Sequence, residues 1–194
     1  MKGVFTIMEN LRKEIEEIKR KLEMPAVVGK FHKVSFEQFL KDYQEDTNAT
    51  EEQIKEIYEE VLVKPVRSSI DSAGHDFVIT KDIYLRPGES VKVCTGIRAE
   101  ISKGWVLVLA PRSGLGSKFR MQLNNSIGVI DGDYFGAENE GHILATITND
   151  SNENKTIELR AGDRFLQGIF LPYGITQDDM PLGKRTGGYG SSGL

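Results

Sequence analysis

From about residue 60 the chain breaks into short runs of β-forming residues, and no other feature limits its fold as strongly. EVLVKPV (60–66), HDFVITKDIYL (75–85), ESVKVCTGIRAEI (89–101), GWVLVLAP (104–111), GHILATITN (141–149), KTIEL (155–159) and FLQGIFLPY (165–173) are rich in Val, Ile and aromatics. Turn signals separate them: Pro87-Gly88, Lys103-Gly104, Asp131-Gly132 and the Asn149–Asn152 cluster. Many short strands with such punctuation predict an all-β sandwich or barrel. The final part, from Gly183, is glycine-rich without a hydrophobic period and reads as a flexible tail.

Residues 1–62 have a different, helical character. Met8, Leu11, Ile15, Ile18 and Leu22 recur at spacings of three and four among Glu, Lys and Arg, a two-heptad seam. Such a helix either lies on its own domain or self-associates, so residues 8–22 are a candidate helix-mediated contact. Pro25 ends this region. Ser35–Gln38 and Thr50–Gln53 both fit the capping-box pattern and each opens a short helix. His32 reads as a linker residue with a surface or packing role. The division expected is a helical extension over 1–62, a β domain over 63–182 and the tail over 183–194.

With 25 Lys and Arg against 29 Asp and Glu, the net charge of −4 argues against a protein that grips nucleic acid, whose binding domains are usually basic. It leaves room for a small phosphorylated ligand. No apolar run approaches the roughly 20 residues needed to cross a bilayer, and the N-terminus turns to charge at Glu9, so neither membrane span nor signal peptide is expected. A cytoplasmic location is the simplest reading. The single cysteine, Cys94, excludes an internal disulfide framework and reads as a buried thiol on a strand.

Five segments carry residues suited to chemistry, and each also has a plain structural reading. In SAGHDF (72–77), Asp76 is either a turn residue or a carboxylate that orients metal-bound water; His75 reads as incidental. PRSGLGSK (111–118) is a polar turn, or a guanidinium, a hydroxyl and a close-approach backbone gathered for phosphate. GVIDGDY (128–134) holds Asp-Gly, a hairpin signal, with an aromatic directly after it. In GDRFLQGIF (162–170), Phe165, Gly168 and Phe170 read as packing residues, and Arg164 and Gln167 as solvated ones. GYGSSG (188–193) cannot be a dinucleotide fingerprint, since no helix follows it. It is a plain tail, or one that closes over a phosphorylated ligand.

In this order, on an all-β chain, the five segments resemble the five motifs of the trimeric dUTP pyrophosphatases (dUTPases) over roughly residues 63–194. The resemblance implies a mainly β fold, a dUTPase-like β-barrel or jelly roll (β-clip), in a homotrimer with three active sites at subunit junctions. It implies hydrolysis of dUTP to dUMP and pyrophosphate with Mg2+, removing dUTP and supplying dUMP for thymidylate synthesis. Asp131 matches the general base, Tyr134 the platform beneath the deoxyribose, and Asn125 with the backbone at Ile130 the groups that read uracil. Arg112, Ser113 and Gly114 match the phosphate-binding motif, Asp76 the carboxylate holding metal-bound water, and Gln167 the amide near the phosphates. Tyr189 takes the place of the aromatic that stacks on uracil, and Gly190, Ser191 and Ser192 match the phosphate contacts of the tail.

The sequence departs from the pattern twice. The family places an arginine five positions before the stacking aromatic; here Lys184 stands there and Arg185 follows, and Arg185 is the residue assigned to the γ-phosphate. AENEGHI (137–143) intervenes before the next strand, a lengthened loop whose Glu138, Glu140 and His142 are also an alternative metal set. Two other functions are compatible with the same scaffold. A dCTP deaminase would use Glu138 or Glu140 as a proton shuttle. A nucleotide-sensing binding protein would use the helices for a partner.

Overall fold

In the computed structural model the described residues are 2–23, 25–181, 183 and 187, with side chains in the first helix described for 8–18. That helix, α1 (Lys2–Glu23), ends just before Pro25 as expected. Its seam does not lie on the domain: Met8, Leu11, Ile15 and Ile18 remain about half exposed, at 48–56%. The alternative of a helix packed on its own chain is therefore not what forms, and Leu22 lies among the residues whose side chains are not described.

The helical reading of residues 1–62 also missed a strand. β1 (Gly29–Lys33) is only five residues long and mostly polar, too short to announce itself by periodicity. Two helices follow, α2 (Phe36–Gln44) and α3 (Glu51–Glu56). Thr50 and Gln53 form the reciprocal capping box. Ser35 makes only half of one: its Oγ accepts from Gln38 N, whereas its own N–H donates to Glu140. A π-turn over Ile57–Val61 carries the chain to Leu62, which is buried. This turn takes up the start of EVLVKPV, so the expected strand is reduced to β2 (Val66–Arg67).

Among the described residues ten more strands and one α-helix follow: β3 (His75–Val78), β4 (Ile83–Leu85), β5 (Ser90–Cys94), β6 (Ile97–Ile101), β7 (Trp105–Pro111), α4 (Ser113–Phe119), β8 (Met121–Leu123), β9 (Gly128–Ile130), β10 (Leu144–Asn149), β11 (Ile157–Leu159) and β12 (Arg164–Pro172). All pairings are antiparallel: β2-β3-β12-β7-β9, β5-β10-β8, β1-β6 and β4-β11. The mainly β fold is as expected, but among the described residues no sheet closes into a barrel.

One cause is visible at Gly96, where β5 and β6 run on but pair with different partners, β10 and β1. Gly96 has φ +67°, and a Cβ there would stand 1.7 Å from Leu62 Cδ1. Glycine alone lets the chain change sheets while Leu62 fills the corner.

Phe39, Ile54 and Leu62 of the N-terminal segment share one buried cluster with Phe77, Ile79, Ile97, Leu107, Ile147 and Phe165. Residues 29–62 thus pack into the same core as the strands. Cys94 is the buried thiol expected; burial pushes it up to about 12, and its Sγ donates to Asp42 O at 3.3 Å. No helix among the described residues is long and apolar enough to cross a membrane.

Substituting Gly96→Ala should lower unfolding free energy by about 2–5 kcal/mol, from the positive φ and the overlap together. Combining it with Leu62→Ala removes the overlap, so denaturant titration should show a double-variant loss smaller than the sum of the single losses.

Candidate functional site

Two groups of side chains stand along β7. The first forms where three strands lie side by side. Asp76 on β3 is opposite Gln167 on β12, which is opposite Ala110 on β7. The Asp76 carboxylate is nearly buried and each oxygen takes one guanidinium: Arg112 Nε lies 3.0 Å from Oδ1, and Arg164 Nη1 donates to Oδ2 at 3.0 Å. One carboxylate between two partly exposed arginines leaves a local excess of positive charge, suited to anionic oxygens.

Arg164 was expected to be solvated, and its place in this cluster depends on a register shift. Strand alternation would put Arg164 and Gln167 on opposite faces. A β-bulge between Arg164 and Leu166 sends both Phe165 and Leu166 into the core and turns Arg164 onto Asp76. The only sequence signal is the adjacent apolar pair Phe165-Leu166 inside an otherwise alternating run.

Gln167 is half-buried and its Nε2 donates to Pro111 O at 3.2 Å. It occupies the room left by Gly74, where a Cβ would come within 2.6 Å of its Oε1. Directly after Arg112 the chain turns into α4, so PRSGLGSK is a helix start rather than a plain turn. Ser113 and Gly114 are exposed there. A Cβ on Gly114 would meet nothing within 4 Å, so packing in the chain does not require glycine at that position.

The second group surrounds a cleft partly open to solvent, lined among others by Leu109, Asn125, Ile130, Tyr134 and Ala145. Asn125 lies in the turn between β8 and β9, and Ser126 takes the positive φ of 67° there. The tight turn is therefore at Leu123–Ser126; Asp131-Gly132 instead opens a 3-10 turn over Gly132–Gly136. Asp131 is exposed at the end of β9. Gly128 lets β9 lie close to β7, since a Cβ there would be 3.0 Å from Leu109 Cβ. Tyr134 is buried; its hydroxyl donates to His142 O at 2.7 Å and accepts from Asn139 Nδ2 at 2.9 Å.

The structure thus brings Asn125, Ile130 and Tyr134 to one cleft with Asp131 following Ile130, and Asp76, Arg112 and Gln167 to the other group. It does not bring the two groups together. Ile130 pairs with Leu107, so Asp131 and Arg112 are about 20 Å apart along β7 at the usual strand rise. Lys184, Arg185, Tyr189, Gly190, Ser191 and Ser192 lie outside the described residues.

The loop 137–143 is not a metal site. Among the described residues no group of three His, Cys, Asp or Glu is placed to hold an ion. Glu140 accepts from Ser35 N (2.8 Å) and Ser35 Oγ (2.5 Å) and lies 3.7 Å from Arg98 Nη1. His142 is fully buried, with Nδ1 2.5 Å from Asp42 Oδ2. Of the other two histidines, His75, read as incidental, lies on β3 with its ring against Phe31 and Phe170, and His32, read as a linker residue, lies on β1 and pairs with Glu100.

The comparisons agree with this layout. A family model described as dUTPase matches residues 62–193. The chain belongs to the dUTPase family. It is 39% identical over 132 residues to the deoxyuridine 5'-triphosphate nucleotidohydrolase of Lactococcus lactis, covering 66% of this chain and 87% of that one. Identity to the Nautilia profundicola protein of the same name is 32% over 145 residues, 72% and 96% of the two chains. Among solved structures, the dUTPase of Streptococcus mutans superposes with a TM-score of 0.55 at 32% identity, over 75% of this chain and 97% of that one. A Staphylococcus bacteriophage 80alpha dUTPase mutant with dUpNHpp shares the fold at 17% identity, TM-score 0.56, over 83% and 100%.

Electrostatics sets an acid limit on the attachment of α2 to the dUTPase domain. Burial would raise the Asp42 carboxyl, but hydrogen bonds from His142 and Gln38 outweigh it and hold the group below its usual 3.8. Burial likewise opposes ionisation of Glu140, and the two Ser35 hydrogen bonds and Arg98 outweigh it. A carboxyl depressed in the folded state contributes stability above its unfolded value and loses it as pH falls through the folded one. Unfolding measured from about pH 5 to pH 2 should therefore show an acid loss that is shallower in Asp42→Asn, which has no proton to take up.

Proposed function

We propose that this chain hydrolyses dUTP to dUMP and pyrophosphate, and that Asp131 is the general base. The observation that carries the reading is the cleft that seats Asn125, Ile130 and Tyr134 together, next to the exposed carboxylate of Asp131. Curated relatives of 32–39% identity bearing the name deoxyuridine 5'-triphosphate nucleotidohydrolase support it.

Uracil enters between the turn at Asn125 and the backbone at Ile130, where polar groups fixed in place reject a cytosine amino group and a close fit rejects a thymine methyl. The ribose faces the Tyr134 ring, which leaves no room for a 2′-hydroxyl. Asp131 accepts a proton from water as the water oxygen bonds to the α-phosphorus. The bond from that phosphorus to the bridging oxygen breaks in line, and pyrophosphate leaves with the electron pair. The proton then passes from Asp131 to solvent.

Arg112, Ser113, Gly114, Arg164 and Gln167 hold the phosphates. Arg185, Tyr189, Gly190, Ser191 and Ser192 close over them. The Asp76 oxygens each retain lone-pair capacity beyond one guanidinium, which suits an outer-shell contact to metal-bound water and not direct ligation. Asp76 would hold Mg2+ through its water, and the ion would supply charge neutralisation. Removal of dUTP and supply of dUMP for thymidylate synthesis follow from the reaction. Deamination of dCTP has less support, because Glu140, one of two candidate shuttles, is held by Ser35 and Arg98.

A base that deprotonates the attacking water stands within about 3 Å of it, and so the groups gripping the same phosphate are close by. The separation along β7 is far larger, so each site takes Asp131 from one copy and Arg112 from another. A homotrimer meets this requirement. The exposed α1 seam fits it as well, since Ile15 and Ile18 at successive seam positions favour assemblies above the dimer.

In a pyrophosphate-release assay with dUTP and magnesium, Asp131→Asn should lower kcat by about 10²–10⁴-fold while dUTP still binds. Retained turnover would remove Asp131 from the role of base. Co-refolding Asp131→Asn with Arg112→Ala, each inactive alone, should restore about a quarter of the wild-type rate if sites are shared between copies. A site contained in one chain gives no recovery.

A further inference from the structure

Asp42 and His142 are both nearly buried and 100 residues apart in sequence. Gly96 N donates to His142 Nε2 at 2.8 Å, and a backbone N–H can only donate. Nε2 is therefore unprotonated, the ring is neutral, and its hydrogen is on Nδ1, directed at Asp42 Oδ2. Gln38 Nε2 donates to the same oxygen at 2.8 Å. Both ring nitrogens and the facing carboxylate oxygen are thus satisfied, which fixes the ring and with it the backbone at residue 142.

That backbone supports Tyr134. The His142 carbonyl accepts from the Tyr134 hydroxyl at 2.7 Å and from Asn139 Nδ2 at 3.3 Å, and Asn139 Nδ2 also donates to the Tyr134 hydroxyl. Clearance is small: a Cβ on Gly141 would be 2.4 Å from Tyr134 O. The loop is held a second time by α2, where Ser35 grips Glu140.

From this geometry we infer that Asp42 on α2 is a positioning residue for substrate selection: through His142 it holds the Tyr134 ring at the height that admits a deoxyribose and rejects a ribose. The inference rests on the proposed role of Tyr134 and extends it to residues 35–42, which lie outside the stretch that the family model matches. Removing the Asp42 carboxylate leaves the Nδ1 hydrogen without its acceptor, so the ring tilts and the carbonyl moves away from Tyr134. The amide oxygen of an asparagine can still accept that hydrogen.

The test compares wild type, Asp42→Ala, Asp42→Asn and Ile157→Ala on dUTP and UTP, well below every Tm. Asp42→Ala should raise KM for dUTP about tenfold, change kcat less than about threefold, and reduce the dUTP-over-UTP preference about tenfold. Asp42→Asn should retain the preference to within about threefold. Ile157→Ala, which loses core packing on the β4-β11 pair, should lower Tm and leave KM and preference unchanged. The inference is overturned if Asp42→Ala lowers Tm without moving KM or preference, or if Ile157→Ala moves them equally. Where Asp42→Ala yields no folded protein, Glu140→Ala replaces it, releasing the second hold; a preference equal to wild type then overturns the idea. Absence of wild-type dUTP turnover sinks the proposed function and this inference together, whereas normal turnover with an unmoved preference in Asp42→Ala sinks the inference alone.

Discussion

The antiparallel ladder between β7 and β12 runs without interruption from Leu166 opposite Pro111 to Pro172 opposite Trp105, and it sets the geometry of both half-sites. At one end it places Gln167 beside Ala110 and leads Arg112 out toward Asp76. At the other, β7 carries β9 on its free edge and so determines where Asp131 emerges. A pleated ladder is stiff and has a fixed rise per residue, so the separation between the two groups is not adjustable by side-chain motion. Gly168 keeps the two strands close, since a Cβ there would crowd Leu107, Leu109 and Phe77 within 3.2 Å. With this strand at its centre the fold keeps Asp131 away from Arg112 within one chain, which is why the proposed reaction calls for a second copy.

Much of the candidate site was legible because its residues lie in contiguous motifs. Asp131, Tyr134 and Arg112 stand in short segments that are plain when taken singly and specific only in their order along the chain. What escaped was long-range. Arg164 reaches Asp76 across 88 positions only after a bulge changes its face. Ser35 and Glu140 are 105 apart, and the sequence pattern assigned Ser35 to a local capping box instead. The Asp131-Gly132 pair was misleading for the opposite reason: its turn preference is real, but it is spent on a 3-10 turn, and a positive φ at Ser126 makes the reversal between strands. β1 was missed because five residues with one buried side chain, Phe31, carry no period of their own; its register comes entirely from β6.

The N-terminal region is two physically different pieces, a distinction that composition conceals. α1 leaves its apolar seam half exposed, whereas α2 and α3 send Phe39, Tyr43 and Ile54 into the core of the strands. The stability of residues 29–62 therefore cannot be separated from that of the β region. Each side chain there contributes on the order of 1.5–3 kcal/mol of burial that exists only with both parts in place.

Within that shared core the Asp42–His142 pair is costly to bury, and a pair of apolar residues of similar volume would hold α2 about as firmly. Stability alone therefore does not account for it. What the polar pair adds is direction: a hydrogen bond fixes the ring plane and the rotamer, where an apolar contact tolerates sliding. The donors that face the pair are matched, with Gly96 N–H on Nε2 and Gln38 on the carboxylate, so a different ring orientation would leave one of them unpaired. The backbone carbonyl that this arrangement fixes is the one that receives the Tyr134 hydroxyl. A loop lengthened by AENEGHI would otherwise gain freedom beneath Tyr134, and the buried pair removes that freedom at the ring proposed to select the sugar.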